Sequence, residues 1–300
     1  MNIQKQFEKF YNNILLTAPQ REDAKKKYNG VCKKIHDYYY PNVEYSGNTK
    51  LLIGSYGKHT NIRPPRDVDV IFIMPQEKHN QYADNSSNSQ SQLLQDIKKI
   101  LSEKYTTSEK IKSWGKVVLI KFSDGTHDVE LLPAWENDDK TLTIPNSENG
   151  GDWEIWDPRS EIKKIEDQDS KTDKTKKLIR TIKKWSEQSL VKIKSFEIEN
   201  LCLDFLTYYE CQDKQWPILV RDFFIFSYGK TGNSDVDSHL KTALERAKKA
   251  CEYEINNDYS KAIEEWKKIF GDDFPSSQEN NKKENLSKPI INPPKPWISY

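Results

Sequence analysis

The most informative part of the sequence is Gly54-Ser55-Tyr56-Gly57-Lys58-His59-Thr60, which is followed seven residues later by Asp67-Val68-Asp69. Residues 67–74 form an apolar, β-branched run that is typical of a buried strand. Because side chains alternate along a strand, Asp67 and Asp69 should project from the same face. Two carboxylates on one face of a strand can hold a divalent metal ion.

The turn ahead of this strand carries small residues and hydroxyl groups. Gly54 lets the backbone approach a ligand closely, and Ser55 and Thr60 can donate hydrogen bonds to phosphate oxygens. A phosphate-binding turn beside paired carboxylates indicates phosphoryl or nucleotidyl transfer, in which a metal pair binds the triphosphate and activates the attacking hydroxyl. His59 is expected to be a solvated loop histidine rather than a general base.

The charge balance limits the class of partner. The chain has 300 residues with 47 Lys and Arg against 46 Asp and Glu, a net charge of +1. This length suits one large domain or two small ones, of which we prefer two lobes. A nearly neutral chain offers no strong steering toward long nucleic acid, so a small anionic substrate such as a nucleotide fits better.

Cysteine spacing and hydropathy predict the compartment. The four cysteines, Cys32, Cys202, Cys211 and Cys251, show no C-x-x-C spacing, so we expect reduced thiols in a cytosolic protein rather than a zinc site or disulfides. The first residues are amphipathic, and no apolar run approaches the length of a membrane span. The sequence therefore predicts a soluble, cytoplasmic protein with no membrane partner.

A hairpin is predicted downstream of the acidic strand. Residues 117–122 alternate as a strand, Asp124-Gly125 is a turn signal, and residues 128–132 return as the partner strand. On the returning strand Asp128 and Glu130 share one face. Pro133 is expected to end that strand.

The rest of the chain is predicted to contain helices, a polar loop, a linker and a proline-rich tail. A helical spine covers residues 7–15 and 22–39, a polar loop covers 76–92 before a helix at 93–105, and Trp153 and Trp156 pack a linker. Helices follow from residue 173 onward. The predicted domains are a catalytic lobe at 1–165, a helical lobe at 166–275, and a polar, proline-rich tail at 276–300.

These motifs resemble the polymerase-β-like nucleotidyltransferase superfamily, and within it the bacterial cGAS/DncV-like enzymes (CD-NTases), which are related to oligoadenylate synthase. The resemblance lies in the G-S pair, a threonine, and D-x-D at the head of a strand. Residues 129–134 (VELLPA) are similar to the family's third-carboxylate strand, in which an acid stands three positions before a proline. The resemblance makes Glu130 the third metal ligand beside Asp67 and Asp69, with Asp128 as the alternative.

The C-terminal half also resembles the family. Residues 178–185 (LIRTIKKW) are similar to the helix whose lysine contacts the donor triphosphate, which implies that role for Lys183. Ser195 and Phe196 resemble the serine that contacts the triphosphate and the aromatic residue that stacks on the base.

The resemblance implies a fold and an activity. The fold class is α/β (α+β): a nucleotidyltransferase lobe with a mixed sheet and a C-terminal, mainly helical lobe, joined by the N-terminal spine, with nucleotides bound between the lobes. The implied activity condenses NTPs, using two Mg²⁺ ions for which Mn²⁺ can substitute, into a cyclic di- or trinucleotide that signals to an effector in antiphage defence. Implied partners include a regulatory protein or an RNA activator.

Two alternatives stay open at this point. One is a nucleotidyltransferase that modifies a macromolecular acceptor, either tRNA or protein, although the balanced charge weighs against a long RNA. The other is a catalytically silent nucleotide- or RNA-binding module, although clustered carboxylates are costly for a module that only binds.

Overall fold

Along the sequence, helices precede and follow a central segment that contains the strands. The computed structural model describes residues 2–83, 88–106 and 110–276. The strands are β1 (Lys50–Leu52), β2 (Val68–Ile73), β3 (Lys110–Trp114), β4 (Val117–Lys121), β5 (Val129–Glu136), β6 (Leu142–Asn146) and β7 (Asp152–Trp156). The helices are α1 (Ile3–Ile14), α2 (Ala18–Tyr39), α3 (Gly54–Gly57), α4 (His79–Ala83), α5 (Ser89–Lys104), α6 (Pro158–Thr172), α7 (Thr175–Gln188), α8 (Ser195–Tyr208), α9 (Trp216–Ser227), α10 (Ser234–Ile255) and α11 (Tyr259–Phe270).

The strands form one mixed sheet in the order β1-β2-β5-β4-β3, and β6 and β7 extend it from the end of β5. β2 and β5 run parallel, while β1 pairs antiparallel with β2 and β4 pairs antiparallel with β5. The predicted mixed sheet, the acidic strand and the hairpin are confirmed.

Pro133 does not end its strand, contrary to the prediction. β5 continues to Glu136, and Pro133 pairs in register with Phe72 of β2. Proline lacks a backbone N–H and is tolerated in a strand where no neighbour needs that donor. Pro133 meets this condition because it lies after the last β4 pair, at Leu131, and before the first β6 pair, at Trp135.

Several elements were missed by the sequence prediction. The residues predicted as a loop at 76–92 include α4 and the start of α5, where the Asn88 side chain accepts a hydrogen bond from the Ser91 amide at 2.9 Å and caps the helix. Residues 84–87 of that loop lie outside the described residues. β3, β6 and α6 were also not predicted, and Trp153 and Trp156 lie in β7 rather than in a linker.

The sheet buries a hydrophobic layer on each face. Val68, Val70 and Phe72 of β2 are fully buried in a cluster that also contains residues of α2 and α5. Ile71 points the other way, into a smaller cluster with residues that include Leu132 and Ile144. Because Asp67 and Asp69 alternate with the first set, they stand on the face of the smaller cluster.

Contacts between Cα atoms divide the chain into two units. One contains residues 14–184 and 193–213 and holds the sheet; the other contains residues 2–13, 185–192 and 214–276. In the second unit, aromatic rings fill the core: Phe7 lies 4.9 Å from Trp266 and Phe10 lies 4.7 Å from Phe270, between ring centroids. Segments of the two units alternate along the chain. The domain boundaries predicted at residues 165 and 275 stay predictions. Residues 277–300 of the predicted tail lie outside the described residues.

No helix within the described ranges has both the length and the apolar character needed to cross a membrane.

Candidate active site

The paired strands β2 and β5 place two carboxylates side by side. Their parallel register sets Val68 opposite Val129 and Asp69 opposite Glu130. Val68 and Val129 are both fully buried in the larger cluster, so Asp69 and Glu130 project from the opposite face. Two residues that are far apart in sequence therefore meet on the face that also carries Asp67.

Burial and mutual repulsion raise the pKa values of these carboxyl groups. The pKa of Asp69 is raised to about 6, first by burial and then by the charge of Asp67. The pKa of Glu130 is raised to about 7, again by burial first and then by Asp69. Burial and the charge of Asp128 raise the pKa of Asp67. Buried carboxyl groups that repel one another favour binding of a cation, because the charge of the cation would offset both the cost of burial and the repulsion.

Asp128, the alternative ligand, has other contacts. Its Oδ1 accepts a hydrogen bond from the Phe122 amide at 3.3 Å, and its Oδ2 lies 3.6 Å from the Nζ of Lys121. Glu130 rather than Asp128 is the register partner of Asp69. The structure therefore brings Glu130 beside Asp69 and ties Asp128 to the β4 side of the hairpin.

Gly54 is held close to the side chain of Asp69. Its φ is +55°, and a Cβ atom at this position would lie 2.0 Å from Oδ2 of Asp69. Any side chain here would therefore displace the carboxylate, in addition to straining the backbone. Gly54 begins the one-turn helix α3, and the carbonyl of the next residue, Ser55, accepts a hydrogen bond from the Thr60 amide at 2.8 Å.

A cavity of about 450 Å³ opens beside this turn, and we call it the turn cavity. Asp67 and Asp69 line it together with the predicted phosphate-binding residues Gly54, Ser55 and Ser195. Phe196 also lines it and is 53% exposed, so this ring is accessible rather than part of the core. The charged residues of its wall are Lys58, Arg66, Asp67, Asp69, Glu161 and Glu199.

A second cavity, of about 320 Å³, lies on the Glu130 side of Asp69, and we call it the strand cavity. Asp69 and Trp156 line both cavities, whereas Glu130 lines only the strand cavity and Asp67 only the turn cavity. The three carboxylates are thus divided between two neighbouring spaces. Throughout residues 2–83, 88–106 and 110–276, no group of three or more His, Cys, Asp or Glu side chains is arranged to hold a metal ion as it stands.

Lys183 and Thr60 lie in a buried charge network centred on Glu199. The Nζ of Lys183 donates to Oε1 of Glu199 at 2.8 Å and to the Thr60 hydroxyl at 2.9 Å. The Nζ of Lys58 donates to Oε2 of Glu199 at 2.9 Å and to Glu161 at 3.0 Å. Neither Lys183 nor Thr60 lines the turn cavity. Their predicted contact with a phosphate stays a prediction, and it requires these bonds to open.

The two lysines of this network differ in their electrostatic setting. Burial lowers the pKa of Lys183, although Glu199 opposes that effect. For Lys58, burial also acts to lower the pKa, but Glu199 and Glu161 outweigh it and the pKa is raised. Lys183 has one carboxylate partner against two for Lys58, and the charge of Lys58 also acts to lower the pKa of Lys183.

Sequence reasoning missed Glu199, Lys58 and Trp156. The signal for Glu199 was available: it follows Ile198 and precedes Cys202 on the apolar stripe of α8, where a carboxylate needs a buried partner. Lys58 was part of the quoted turn but had no assigned role. Trp156 was assigned to a linker, whereas its Nε1 donates to Glu161 at 2.8 Å at the cavity wall.

The chain is similar to known proteins along most of its length. The family model of the Second Messenger Oligonucleotide or Dinucleotide Synthetase (SMODS) domain matches residues 1–169. A probable cyclic nucleotide synthase of Bacillus cereus (strain VD146) is 24% identical over 331 aligned residues, which cover 90% of this chain and 98% of that protein.

Solved structures share the fold. CdnC of E. coli MS115-1, in complex with HORMA-deltaN, matches with a TM-score of 0.66 at 16% identity, covering 91% of this chain and 98% of its own. The Vibrio cholerae DncV cyclic AMP-GMP synthase, bound to the linear intermediate 5′ pppA(3′,5′)pG, matches with a TM-score of 0.61 at 13% identity, covering 91% and 87%. Because the family model spans more than half of the chain, this protein belongs to the SMODS family of cyclic nucleotide synthases, the CD-NTase nucleotidyltransferases that its motifs resemble.

Proposed function

We propose that this enzyme condenses NTPs into a cyclic di- or trinucleotide with the aid of Mg²⁺ held by Asp67, Asp69 and Glu130. The observation that carries the proposal is that Asp69 lines two adjoining cavities, one with the Gly54–Ser55 turn and the other with Glu130. Two nucleotides that meet across Asp69 would bring a hydroxyl group and a phosphate to the same carboxylates.

The turn cavity suits the triphosphate of the donor nucleotide only with added cations. Its wall carries four carboxylates against two cationic side chains, so the site by itself would repel a polyanion. The hydroxyls of Ser55 and Ser195 can donate to phosphate oxygens, and the exposed ring of Phe196 offers a stacking surface for the base. Oxygen ligands such as these carboxylates suit Mg²⁺. When bound, Mg²⁺ supplies charge neutralisation at the triphosphate and lowers the pKa of the attacking hydroxyl.

The strand cavity suits the nucleotide that attacks. Its wall is largely apolar and includes the side chains of Val117, Leu132 and Ile144. Asp69 and Glu130, which belong to the proposed cation site, also line this cavity. A ribose placed against Glu130 would present its 2′ or 3′ hydroxyl to the donor on the other side of Asp69. Glu130 would then orient that hydroxyl for in-line attack on the α-phosphate.

The cellular role is part of the same proposal. We propose that the product is a second messenger in antiphage defence that activates a separate effector, and that the enzyme works in the cytoplasm, where NTPs are plentiful. The four cysteines are free and buried, which is compatible with a reducing compartment. A regulatory protein or RNA activator is proposed as well; the similar CdnC was solved as a complex with HORMA-deltaN.

The test of this function is incubation of the purified protein with four labelled NTPs and Mg²⁺, then phosphatase treatment and mass spectrometry of small products. Phosphatase-resistant cyclic species made by the wild type, but not by an Asp67→Asn/Asp69→Asn variant, are expected. Label transferred to tRNA or protein instead would favour the macromolecular acceptor. Nucleotide binding without pyrophosphate release, with every candidate activator present, would favour a silent binding module.

Glu130→Gln and Asp128→Asn should separate the two candidates for the third carboxylate. We expect Glu130→Gln to lower the turnover about a hundredfold, because it removes the charge beside Asp69. Asp128→Asn should stay within about threefold of the wild type, because its contacts face Lys121 and the Phe122 amide. Initial rates at saturating NTP and Mg²⁺ measure both effects. A larger loss in Asp128→Asn would reverse the assignment.

A further inference from the structure

The strand cavity carries an ion pair that the proposed chemistry does not use. Lys116 Nζ is hydrogen-bonded to Oε2 of Glu154, and Asn146 Nδ2 donates to Oε1 of Glu154 at 2.8 Å. Lys116 and Glu154 both line this cavity, together with Glu130. The Lys116–Glu154 pair therefore lies in the cavity that would hold the attacking nucleotide, where its hydrogen-bonding groups can recognise a ligand.

Strand register fixes the direction of Glu154. On the β6–β7 ladder Glu154 pairs with Ile144, whose buried side chain belongs to the same cluster as Leu132. Cross-strand partners share a face of the sheet. Glu154 thus lies on the face of the sheet that carries Glu130. The pairing of β7 with β6 holds the backbone of Glu154 in place.

Glu154 remains a pure hydrogen-bond acceptor at neutral pH. Its hydrogen bond from Lys116, and then that from Asn146, lower the pKa of its carboxyl group. An ionised carboxylate has about four lone-pair sites on its two oxygens. Two of them take the bonds from Lys116 and Asn146, which leaves capacity for two further donors that lie side by side.

Guanine is the base that offers such a pair. Its N1–H and N2–H₂ donors are adjacent, and its O6 and N7 acceptors suit a lysine. Adenine and cytosine each place a single amino group next to a ring-nitrogen lone pair, and uracil places its N–H between two carbonyl oxygens. Only guanine can therefore engage a carboxylate through two parallel hydrogen bonds without facing a repulsive acceptor.

We propose that Glu154, supported by Lys116, selects guanine as the base of the nucleotide in the strand cavity. This inference rests on the proposed function, because it assumes that the cavity holds the attacking nucleotide. Glu154 is a specificity-determining residue and takes no part in the transfer itself. The apolar side chains of Val117 and Ile144 form the wall against which the purine would lie.

The test compares nucleoside monophosphates, which lack the triphosphate that the turn cavity would require. Calorimetric titration of the full chain should show that GMP binds roughly ten- to a hundredfold more tightly than IMP, which lacks the N2 amino group, and than AMP. Glu154→Gln should lose that preference. It should also bind XMP at least about tenfold more tightly than the wild type does, because an amide can accept from N1–H and donate to the O2 of xanthine.

A matched variant controls for effects on the strand. Asp152→Asn removes a carboxylate from the exposed start of β7 while keeping the oxygen that accepts from the Trp153 amide at 2.8 Å. It should bind all four monophosphates as the wild type does. The gain of XMP binding in Glu154→Gln cannot arise from misfolding.

Failure of this inference differs from failure of the proposed function. Equal affinity of the wild type for GMP and IMP, or a Glu154→Gln variant with an unchanged ratio, overturns the selection of guanine even if cyclic products form. If GMP is preferred through Glu154 but no NTP condensation occurs, the base selection stands and the synthase reaction is wrong.

Discussion

Asp69→Asn is expected to lower nucleotide condensation about a thousandfold or more while making the cation-free protein more stable. The loss follows from the place of Asp69, which lines both cavities and pairs in register with Glu130. Asparagine keeps the size of the side chain, so the close approach of this group to Gly54 is preserved. Initial rates of pyrophosphate release with saturating NTP and Mg²⁺ measure the loss.

The gain in stability follows from the raised pKa of Asp69. The pKa of Asp69 is about 6 in the folded chain against 3.8 for an aspartate exposed to water, so the folded state binds the proton more tightly than the unfolded state does. The wild type therefore has the full contribution of this group below pH 4 and loses it as the pH rises through 6. At pH 8 Asp69→Asn should be more stable by about 3 kcal/mol.

Urea unfolding in a chelating buffer at pH 4 and pH 8 checks this result. The advantage of Asp69→Asn should be present at pH 8 and absent at pH 4. Asp138→Asn, an exposed change in the turn after β5, is the control and should match the wild type at both values. If Asp69→Asn showed the same stability as the wild type at pH 8, the burial and repulsion assigned to this carboxyl would be wrong. Normal turnover by Asp69→Asn would show that Asp69 is not part of the active site.

Glu199→Gln should destabilise the protein by about 3 to 5 kcal/mol, because it leaves a buried charge without its counter-ion. Lys183 and Glu199 are 8% and 5% exposed, and Glu199 bridges Lys183 to Lys58. Glutamine can still accept a hydrogen bond but carries no charge to offset that of Lys183. Lys58 keeps its second partner, Glu161, so the cost arises mainly at Lys183.

A double-mutant cycle isolates this cost. Lys183→Met in the Glu199→Gln background removes the uncompensated charge and should recover at least about 1 kcal/mol in urea unfolding at pH 7. Asp204→Asn, which removes a carboxylate from the exposed side of the same helix α8, is the matched control and should unfold as the wild type does. A Glu199→Gln variant with unchanged stability, or no recovery in the double variant, would contradict the buried network.

Local patterns accounted for the elements with strong periodicity. The apolar run after Asp67 forms β2, and the turn signal at Asp124-Gly125 joins β4 to β5. The predictions failed where neighbours in space decide the outcome. Pro133 stays within a strand because of the gap between its β4 and β6 partners. β7 was not predicted although residues 152–155 alternate between polar and apolar, because its two tryptophans were assigned to a linker.

Alternation along a strand is a property of the local backbone, so the residue pattern alone places Asp67 and Asp69 on one face, and Asp128 and Glu130 likewise. The position of Glu130 beside Asp69 depends on long-range packing, since the parallel register of β2 and β5 requires both strands to pack against the same core. The same holds for Glu199, because its partner Lys183 lies on α7 and its partner Lys58 lies in the turn after α3. Contacts between residues far apart in sequence are set by the energy of the whole packed chain, which no local pattern records.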